Sequence, residues 1–363
     1  MTANTIVIDH GSGYLKSGFS GWNEPQMIFP SIVNYRPCRE NPGPSSAQRQ
    51  LGLGIDVFHP DTFSYPIQRG RVLNWEGVEH MWSFVLEKHK WEHEVSPVLF
   101  TECPLKEPAD RKKTLEIMFE SLYVPSLLLA DQLEMSLYSS GLLTGVVVDS
   151  GYGLTRVQPF HLGRPLQAGC TTLEFAGQDL SAYLCKSLFK DDVNAHKVFR
   201  LHMVGTVQMN QCYVPQNLGE ALDFLQGLPG GSDENNTYQL PDGTSAELTP
   251  MQRLAPEMFF SPEVFNLQGP SVSQALMDSI KTCEASLQPL LISHVIACGG
   301  NTLYPGFTDR LYKELATNHS AGTNATVWVG SKRNFSVWLG ASVVAHLSTY
   351  KSEWMTKEEY NER

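Results

Sequence analysis

The feature that most constrains the fold is a motif that occurs twice, about one domain length apart. IVIDHGSGYLKSGFSG begins at Ile6, and VVVDSGYGLTRVQPFHLG begins at Val146. Each copy contains an apolar strand, an aspartate, a Gly-x-Gly turn and a second strand-like run. The two aspartates lie 140 residues apart, which is a typical domain size. A duplicated domain that places two equivalent hairpins across a cleft would explain this spacing.

Short apolar runs alternate with amphipathic patterns along the chain. The runs at 6–9, 98–102, 127–130, 146–149 and 294–298 are typical of strands buried on both faces. Apolar residues recur at helical spacing over 78–86, 115–122 and 180–188. Strands that alternate with helices favour an α/β fold. The length of 363 residues favours two domains of roughly 150–200 residues each.

Composition excludes several classes of function. A net charge of −11 argues against a nucleic-acid binder, because phosphate contacts need a basic face. No window approaches the ~18 consecutive apolar residues of a membrane span, so we expect no membrane partner. The seven cysteines form no CxxC pair and no zinc-type cluster, which favours reduced thiols in the cytosol or nucleus.

Both hairpins carry groups suited to a nucleotide and its metal ion. Glycines in a tight turn let backbone N–H groups approach an anion without an intervening side chain. Magnesium needs only one or two carboxylates besides the phosphates. We therefore predict a magnesium–nucleotide site built from Asp9, Gly11, Ser12, Gly13 and Lys16 in the first hairpin and from Asp149, Ser150, Gly151 and Gly153 in the second.

A third element follows the last predicted strand. The run ACGGNTLYPGF reaches Gly299 and Gly300 and then resembles the start of a helix. A helix start can hold a phosphate or a base against its backbone. An ordinary strand–turn–helix, with glycines used for packing, explains the same pattern, and both interpretations stay open.

Together these motifs resemble those of the actin family. The matching segments include IVIDHGSGYLKSGF, YPIQRGRVLNWEG, CYVPQNLGEALDF, CGGNTLYPG and FSVWLGASVVAHLSTY, and the resemblance extends over nearly the whole chain. It is similar to a divergent, germ-cell type of the family. The resemblance implies a duplicated α/β fold of the actin, hexokinase and heat-shock ATPase type, with two α/β domains flanking a nucleotide cleft.

The resemblance also implies domain bounds. The first domain would comprise 1–142 plus 331–363, with a small subdomain at about 33–66. The second would comprise 143–330, with a small subdomain at about 177–267.

Residue roles are implied in the same way. Gln132 and Asp149 match catalytic positions, and Asp9 and Asp149 match the metal site. The further cofactor contacts implied by the family are Gly177, Gly299 and Gly300. ATP or ADP with magnesium is the cofactor that this resemblance implies.

Several positions depart from the actin pattern. Tyr152 replaces a carboxylate of the magnesium shell, and Arg156 replaces a histidine near the catalytic water. The other departures are His10, Arg69, Gln208, Met209 and Asn334. The first two changes add about two positive charges near the phosphates, similar to one magnesium ion. We therefore expect Arg156 to contact the nucleotide, with weaker metal dependence and impaired hydrolysis; alternatively, Tyr152 fills the cleft and excludes the nucleotide.

The function implied is that of an actin-like cytoskeletal protein of the cytoplasm, at most a weak ATPase. Its partners would be cytoskeletal or actin-binding proteins. Because the segment 38–54 is rich in proline and polar residues, unlike the apolar insertion loop of actin, we expect self-polymerisation to be weak or absent. A nucleotide-free scaffold subunit is the alternative. A small-molecule kinase of the same architecture is disfavoured, because the match to actin extends beyond the hairpins.

Overall fold

The computed structural model describes residues 5–37, 49–53, 63–90, 96–103, 107–189, 197–225, 237–239, 243, 245–318 and 324–362. The chain divides into two compact units. The first unit comprises 1–142 and 335–363, and the second comprises 143–334. Most of the proline-rich segment 38–54 lies outside the described residues, although its residues 49–53 form a strand.

Strands and helices are numbered along the chain. The strands are β1 Ile6–His10, β2 Tyr14–Phe19, β3 Met27–Pro30, β4 Val33–Pro37, β5 Arg49–Leu53, β6 Phe63–Ser64, β7 Ile67–Gln68, β8 Arg71–Val72, β9 Val98–Glu102, β10 Ser126–Asp131, β11 Gly145–Ser150, β12 Thr155–His161, β13 Arg164–Pro165, β14 Thr171–Leu173, β15 Thr237–Gln239, β16 Ser245–Glu247, β17 Val295–Cys298, β18 Val327–Trp328 and β19 Met355–Thr356. The helices are α1 Trp75–Lys88, α2 Pro108–Glu116, α3 Gln132–Ser139, α4 Gly177–Leu188, α5 Lys197–Gln211, α6 Leu218–Leu225, α7 Pro250–Arg253, α8 Val272–Lys281, α9 Gln288–Ile292, α10 Phe307–Asn318, α11 Ser336–Val344 and α12 Lys357–Asn361. All five predicted strands form, as β1, β9, β10, β11 and β17.

The first unit is built on a mixed six-stranded sheet in the order β19-β10-β9-β1-β2-β3. Strands β1, β9 and β10 are parallel, and β2 returns antiparallel to β1. Successive side chains of a strand point to opposite faces. Ile6 and Ile8 pack with Trp82 of α1, whereas Val7 packs with Trp338 of α11. Helices therefore cover both faces, which explains the continuous apolar run of β1.

The second unit has a sheet in the order β13-β12-β11-β17-β18, with β14 also paired to β12. Strands β11 and β17 are parallel, and β12 returns antiparallel to β11. Val146 and Val148 of β11 are fully buried and belong to the same core as Leu180 and Leu184 of α4. The hairpin β11–β12 thus has the same position in the second sheet that the hairpin β1–β2 has in the first: its first strand pairs with a parallel strand on one side and with its own antiparallel partner on the other.

One predicted helix differs in form. The stripe over 115–122 predicts an α-helix, but α2 ends at Glu116 and a π-helical turn follows over Ile117–Ser121. The N–H of Leu122 donates to the carbonyl of Ile117 at 2.9 Å, five residues back. Met118 and Phe119 are nevertheless fully buried. The wider turn therefore keeps the apolar stripe in the core while it changes the hydrogen bonding.

No helix in the described part of the chain is both long enough and apolar enough to cross a membrane.

Candidate functional site

The first hairpin brings a carboxylate and several donors together at the end of β1. Asp9 lies opposite Lys16 in the β1–β2 register, and the Lys16 ammonium donates to Asp9 Oδ2 at 2.8 Å. Thr101 Oγ1 donates to Asp9 Oδ1 at 2.8 Å, and Gln132 Nε2 donates to the same oxygen at 3.3 Å. Asp9 is 2% exposed, so these donors replace the water that its charge would otherwise need. Thr101 was not identified from the sequence. Its position near the end of a predicted strand could have indicated it, because that strand runs parallel to β1 and places Thr101 beside Asp9.

The tip of this hairpin has backbone donors that no described residue accepts from. The Gly11 N–H donates to the carbonyl of Tyr14 at 3.1 Å, which closes the turn. The backbone N–H groups of Ser12 and Gly13 make no hydrogen bond with any residue that the structure describes. Ser12 Oγ accepts from the N–H of Gly70 at 3.1 Å. The tip therefore offers backbone donors and a hydroxyl group of the kind that binds an anion.

Two departures from the actin pattern lie beside this hairpin. Arg69 and Gly70 form the turn between β7 and β8, with φ of 46° and 73°. Trp82 Nε1 donates to His10 Nδ1 at 2.9 Å, and His10 Nε2 lies 2.9 Å from Ser31 Oγ. Because an indole only donates, Nδ1 carries no proton, and Nε2–H is left to donate to Ser31. The buried His10 ring thus serves the packing of the first unit.

The second hairpin repeats the backbone of the first with different side chains. Asp149 lies opposite Arg156, as Asp9 lies opposite Lys16. The Gly151 N–H donates to the carbonyl of Leu154 at 2.9 Å, which reproduces the turn closure of the first hairpin. Arg156 Nη2 lies 3.3 Å from Asp149 Oδ2, and the two side chains are only 3% and 14% exposed. A buried guanidinium therefore balances the carboxylate that the sequence assigns to the metal site.

Two further segments pack against the second hairpin. The N–H groups of Gly177 and Gln178, at the start of α4, donate to the carbonyls of Gly151 at 3.1 Å and Tyr152 at 2.7 Å. Gly299 has φ of 89°, and a Cβ there would lie 2.3 Å from the carbonyl oxygen of Ser150. Only glycine fits this contact. The structure thus brings together the predicted residues Ser150, Gly151, Gly177 and Gly299, and Gly153 lies buried at the same tip.

The prediction of an α-helix directly after Gly300 is wrong in its bounds. Residues Gly300–Leu303 form a short 3-10 turn, and the α-helix begins only at Phe307. The Gly299 N–H donates to the carbonyl of Arg333 at 3.0 Å. The segment therefore presents the start of a 3-10 turn, with the Gly299 N–H used by the backbone, and the α-helix N-terminus lies further along the chain.

The remaining departures lie in the second unit. Gln208 is buried, and its Nε2 donates to Ser181 Oγ at 2.9 Å, which in turn donates to the carbonyl of Gly177 at 3.0 Å. Met209 is exposed, and Asn334 is half-buried and follows Arg333. Gln208 therefore supports the start of α4 through Ser181.

The fit to a nucleotide and to a metal ion differs between the two hairpins. The first has anion donors in its backbone N–H groups and in Lys16, whose side chain is partly exposed. Among the described residues, no group of three or more His, Cys, Asp or Glu side chains is arranged to hold a metal ion. Magnesium commonly takes fewer carboxylates than that, so Asp9 and Asp149 stay predicted ligands. Both tips therefore offer backbone N–H groups to a phosphate, Ser12 and Gly13 in the first hairpin and Gly153 in the second, but the carboxylate of the second hairpin is bound to Arg156.

Each unit contains a mixed sheet with an aspartate-bearing hairpin, which is the arrangement of the actin-type ATPase fold. The family model for actin matches residues 1–363, and the chain belongs to the actin family. The chain is 71% identical over 362 residues to Actin-like protein 8 of Homo sapiens, which covers 100% of this chain and 99% of that protein. The predicted family and fold class are confirmed. Family membership supports an actin-like structural role, and the family fold generally binds ATP or ADP with magnesium.

Proposed function

We propose that the protein is an actin-like structural subunit that acts through protein–protein contacts and holds a nucleotide with little dependence on metal. The observation that carries this proposal is the ion pair between Arg156 and Asp149 in the second hairpin. Arginine stays charged at every physiological pH, and its guanidinium is suited to phosphate as well as carboxylate. Its charge is therefore permanently present where the family places a metal shell.

A bound ATP or ADP would be held chiefly by the first hairpin. The donors that this hairpin offers to its phosphates are the N–H groups of Ser12 and Gly13 and the Lys16 ammonium. The nucleotide would serve as a structural ligand, because anything that binds only the folded state stabilises that state. Tyr152 contributes no carboxylate, and Arg156 neutralises Asp149, which a magnesium ion would otherwise do.

Hydrolysis would be weak or absent. In the family, a histidine near the attacking water occupies the position of Arg156. A guanidinium donates hydrogen bonds but accepts none, so it cannot take a proton from water. Gln132 is held on Asp9 and could still orient a water molecule, which would leave at most a slow ATPase.

The proposed partners and location follow from family membership, and the proposed assembly state follows from the departure of the segment 38–54 from the family pattern. The partners would be cytoskeletal or actin-binding proteins, the location cytoplasmic and cytoskeletal, and self-polymerisation weak or absent. We also propose that the two units correspond to the two actin-like domains, each with a smaller subdomain. No nucleic-acid partner is proposed, given the net charge of −11.

The test is the nucleotide content of the purified protein. The chain is purified with and without EDTA and denatured, and the released nucleotide is quantified by chromatography, with a conventional actin as reference. We expect near-stoichiometric nucleotide that survives EDTA. The variant Arg156→His, which restores the family residue, should lose its nucleotide in EDTA.

Two outcomes would contradict the proposal. Retention by the unmodified protein only with magnesium would mean that Arg156 does not replace the metal. Absence of nucleotide from folded protein under both conditions would support the alternative, a nucleotide-free scaffold subunit of a larger assembly.

A further inference from the structure

Asn301 lies where three segments of the second unit meet. Its Nδ2 donates to Ser150 Oγ at 3.0 Å and to the carbonyl of Gly151 at 2.7 Å. The side chain is only 6% exposed, and Ser150 is fully buried. An amide nitrogen has two hydrogens, so both bonds form at once. Asn301 thereby joins the 3-10 turn Gly300–Leu303 to the second hairpin.

The oxygen of the same amide faces the start of α4. A Cβ on Gly177 would lie 2.9 Å from Asn301 Oδ1, so these two residues are in close contact. The Gly177 N–H in turn donates to the carbonyl of Gly151, the same carbonyl that accepts from Asn301. The Asn301 side chain therefore contacts three segments at once: the second hairpin, the start of α4 and its own 3-10 turn.

The first hairpin is held in a different way. Its tip is fixed by backbone donors: Gly70 N–H donates to Ser12 Oγ at 3.1 Å, and Ser31 N–H donates to the Gly13 carbonyl at 2.9 Å. No substitution removes a backbone N–H group except one to proline. The second hairpin also has backbone donors, from Gly177 and Gln178, but it additionally accepts two hydrogen bonds from the Asn301 side chain, and a single substitution removes both.

We propose that Asn301 is a positioning residue that holds the second hairpin in its nucleotide-binding shape. Its effect on the nucleotide rests on the proposed function and acts through Ser150 and Gly151. The effect on the hairpin itself does not require that a nucleotide binds. Loss of the two donors leaves the buried Ser150 hydroxyl with Thr155 alone and the Gly151 carbonyl with the Gly177 N–H alone, which favours local opening of the hairpin.

The test uses the full-length protein and two substitutions of similar size. Asn301→Asp and Asn301→Leu both remove the donors, and only the first adds a charge. Asn324→Asp, at an exposed position of the same unit, is the matched control. Hydrogen exchange of the peptide over 148–156 is measured without nucleotide, and ADP affinity is measured by titration in EDTA.

Faster exchange in this peptide is expected for both variants, with ADP binding weakened by about tenfold or more. The control should match the unmodified protein. A merely space-filling role predicts normal exchange in Asn301→Leu, which adds no charge, and unchanged exchange in both variants would overturn the proposal. If either variant fails to fold, Ser150→Ala removes one acceptor only and should still accelerate exchange. If the unmodified protein binds no ADP, the nucleotide proposal fails, while the exchange data still decide the role of Asn301.

Discussion

The two hairpins share a backbone and differ in how their charges are balanced. In each, an aspartate faces a basic residue across the strands, and a glycine N–H closes the turn onto a carbonyl three residues on. Asp9 accepts from an ammonium, a hydroxyl and an amide. Asp149 has the guanidinium of Arg156 at 3.3 Å and, at the position equivalent to Thr101, the thiol of Cys298 at 3.9 Å.

The aspartate of the first hairpin can therefore exchange one of its partners, whereas the aspartate of the second is neutralised by an arginine of the same hairpin. Lys16 is partly exposed on a flexible stem, and Asp9 keeps two neutral donors if the ammonium moves to a phosphate. Arg156 is buried, and Asp149 depends on it for most of its compensation. The same strand–turn–strand backbone can therefore hold either a lysine that is free to move to a phosphate or a buried ion pair, depending on the surrounding side chains.

The largest expected loss of stability tests the close contact between Gly299 and Ser150 of the second hairpin. Gly299→Ala places a Cβ 2.3 Å from the Ser150 carbonyl oxygen at a φ of 89°, whereas a Cβ at Gly300 meets nothing within 4 Å. We expect Gly299→Ala to destabilise the second unit by about 3–5 kcal/mol. Hydrogen exchange of the β11 amides measures this loss. Gly300→Ala should cost less than about 1 kcal/mol; equal costs would show that the close contact is not rigid.

An intermediate effect compares the two ion pairs directly. Arg156→Met leaves the Asp149 carboxylate poorly compensated and should cost about 3 kcal/mol. Lys16→Met leaves Asp9 with Thr101 and Gln132 and should cost about 1 kcal/mol. Each loss is measured by hydrogen exchange of the strand that carries the aspartate. The double variant Asp149→Asn with Arg156→Met should recover part of the loss, and equal costs for the two single variants would make the hairpins electrostatically equivalent.

The smallest expected effect is the coupling between two donors of Asp9, Thr101 and Lys16, which tests the reason for that difference. Thr101→Val removes the hydroxyl that donates to Asp9 and should destabilise the first unit by about 1.5 kcal/mol, whereas Thr101→Ser keeps the donor. In the Thr101→Val background, the cost of Lys16→Met should rise, because Asp9 then has fewer donors. A double-mutant cycle measures this coupling. Strictly additive costs would mean that the donors of Asp9 act independently.

Much of the fold was predictable because its signals are local. A fully buried strand needs a continuous apolar run, and the runs at 6–9 and 146–149 indicate β1 and β11 within one residue at either end. The paired hairpins were predictable from their repeated glycines and aspartates. The helix bounds around Ile117 and Gly300 were not, because an apolar stripe specifies which face is buried and leaves the hydrogen-bond pattern undecided.

The candidate site was only partly predictable. Asp9, Lys16, Asp149 and Arg156 stand in the hairpin motifs themselves, so the sequence identifies them as candidates, although it does not show that each aspartate binds the basic residue opposite. Thr101 and Asn301 were not predicted. A threonine near the end of a strand and an asparagine after two glycines are common in turns and in local hydrogen bonds to the backbone, so neither position indicates a site by itself. Their roles depend on strands and turns that lie far away along the chain.

The sequence by itself determined the actin family, the duplicated hairpins and the charge change at Tyr152 and Arg156. These are properties of residue identity and of short spacing along one strand or turn. Only the tertiary structure decided that Arg156 pairs with Asp149, that Gly299 lies against Ser150, and that Asn301 holds the second hairpin. The physical reason is that hydrogen bonds and steric contacts act over a few ångströms, and folding alone brings residues 150 positions apart to that distance.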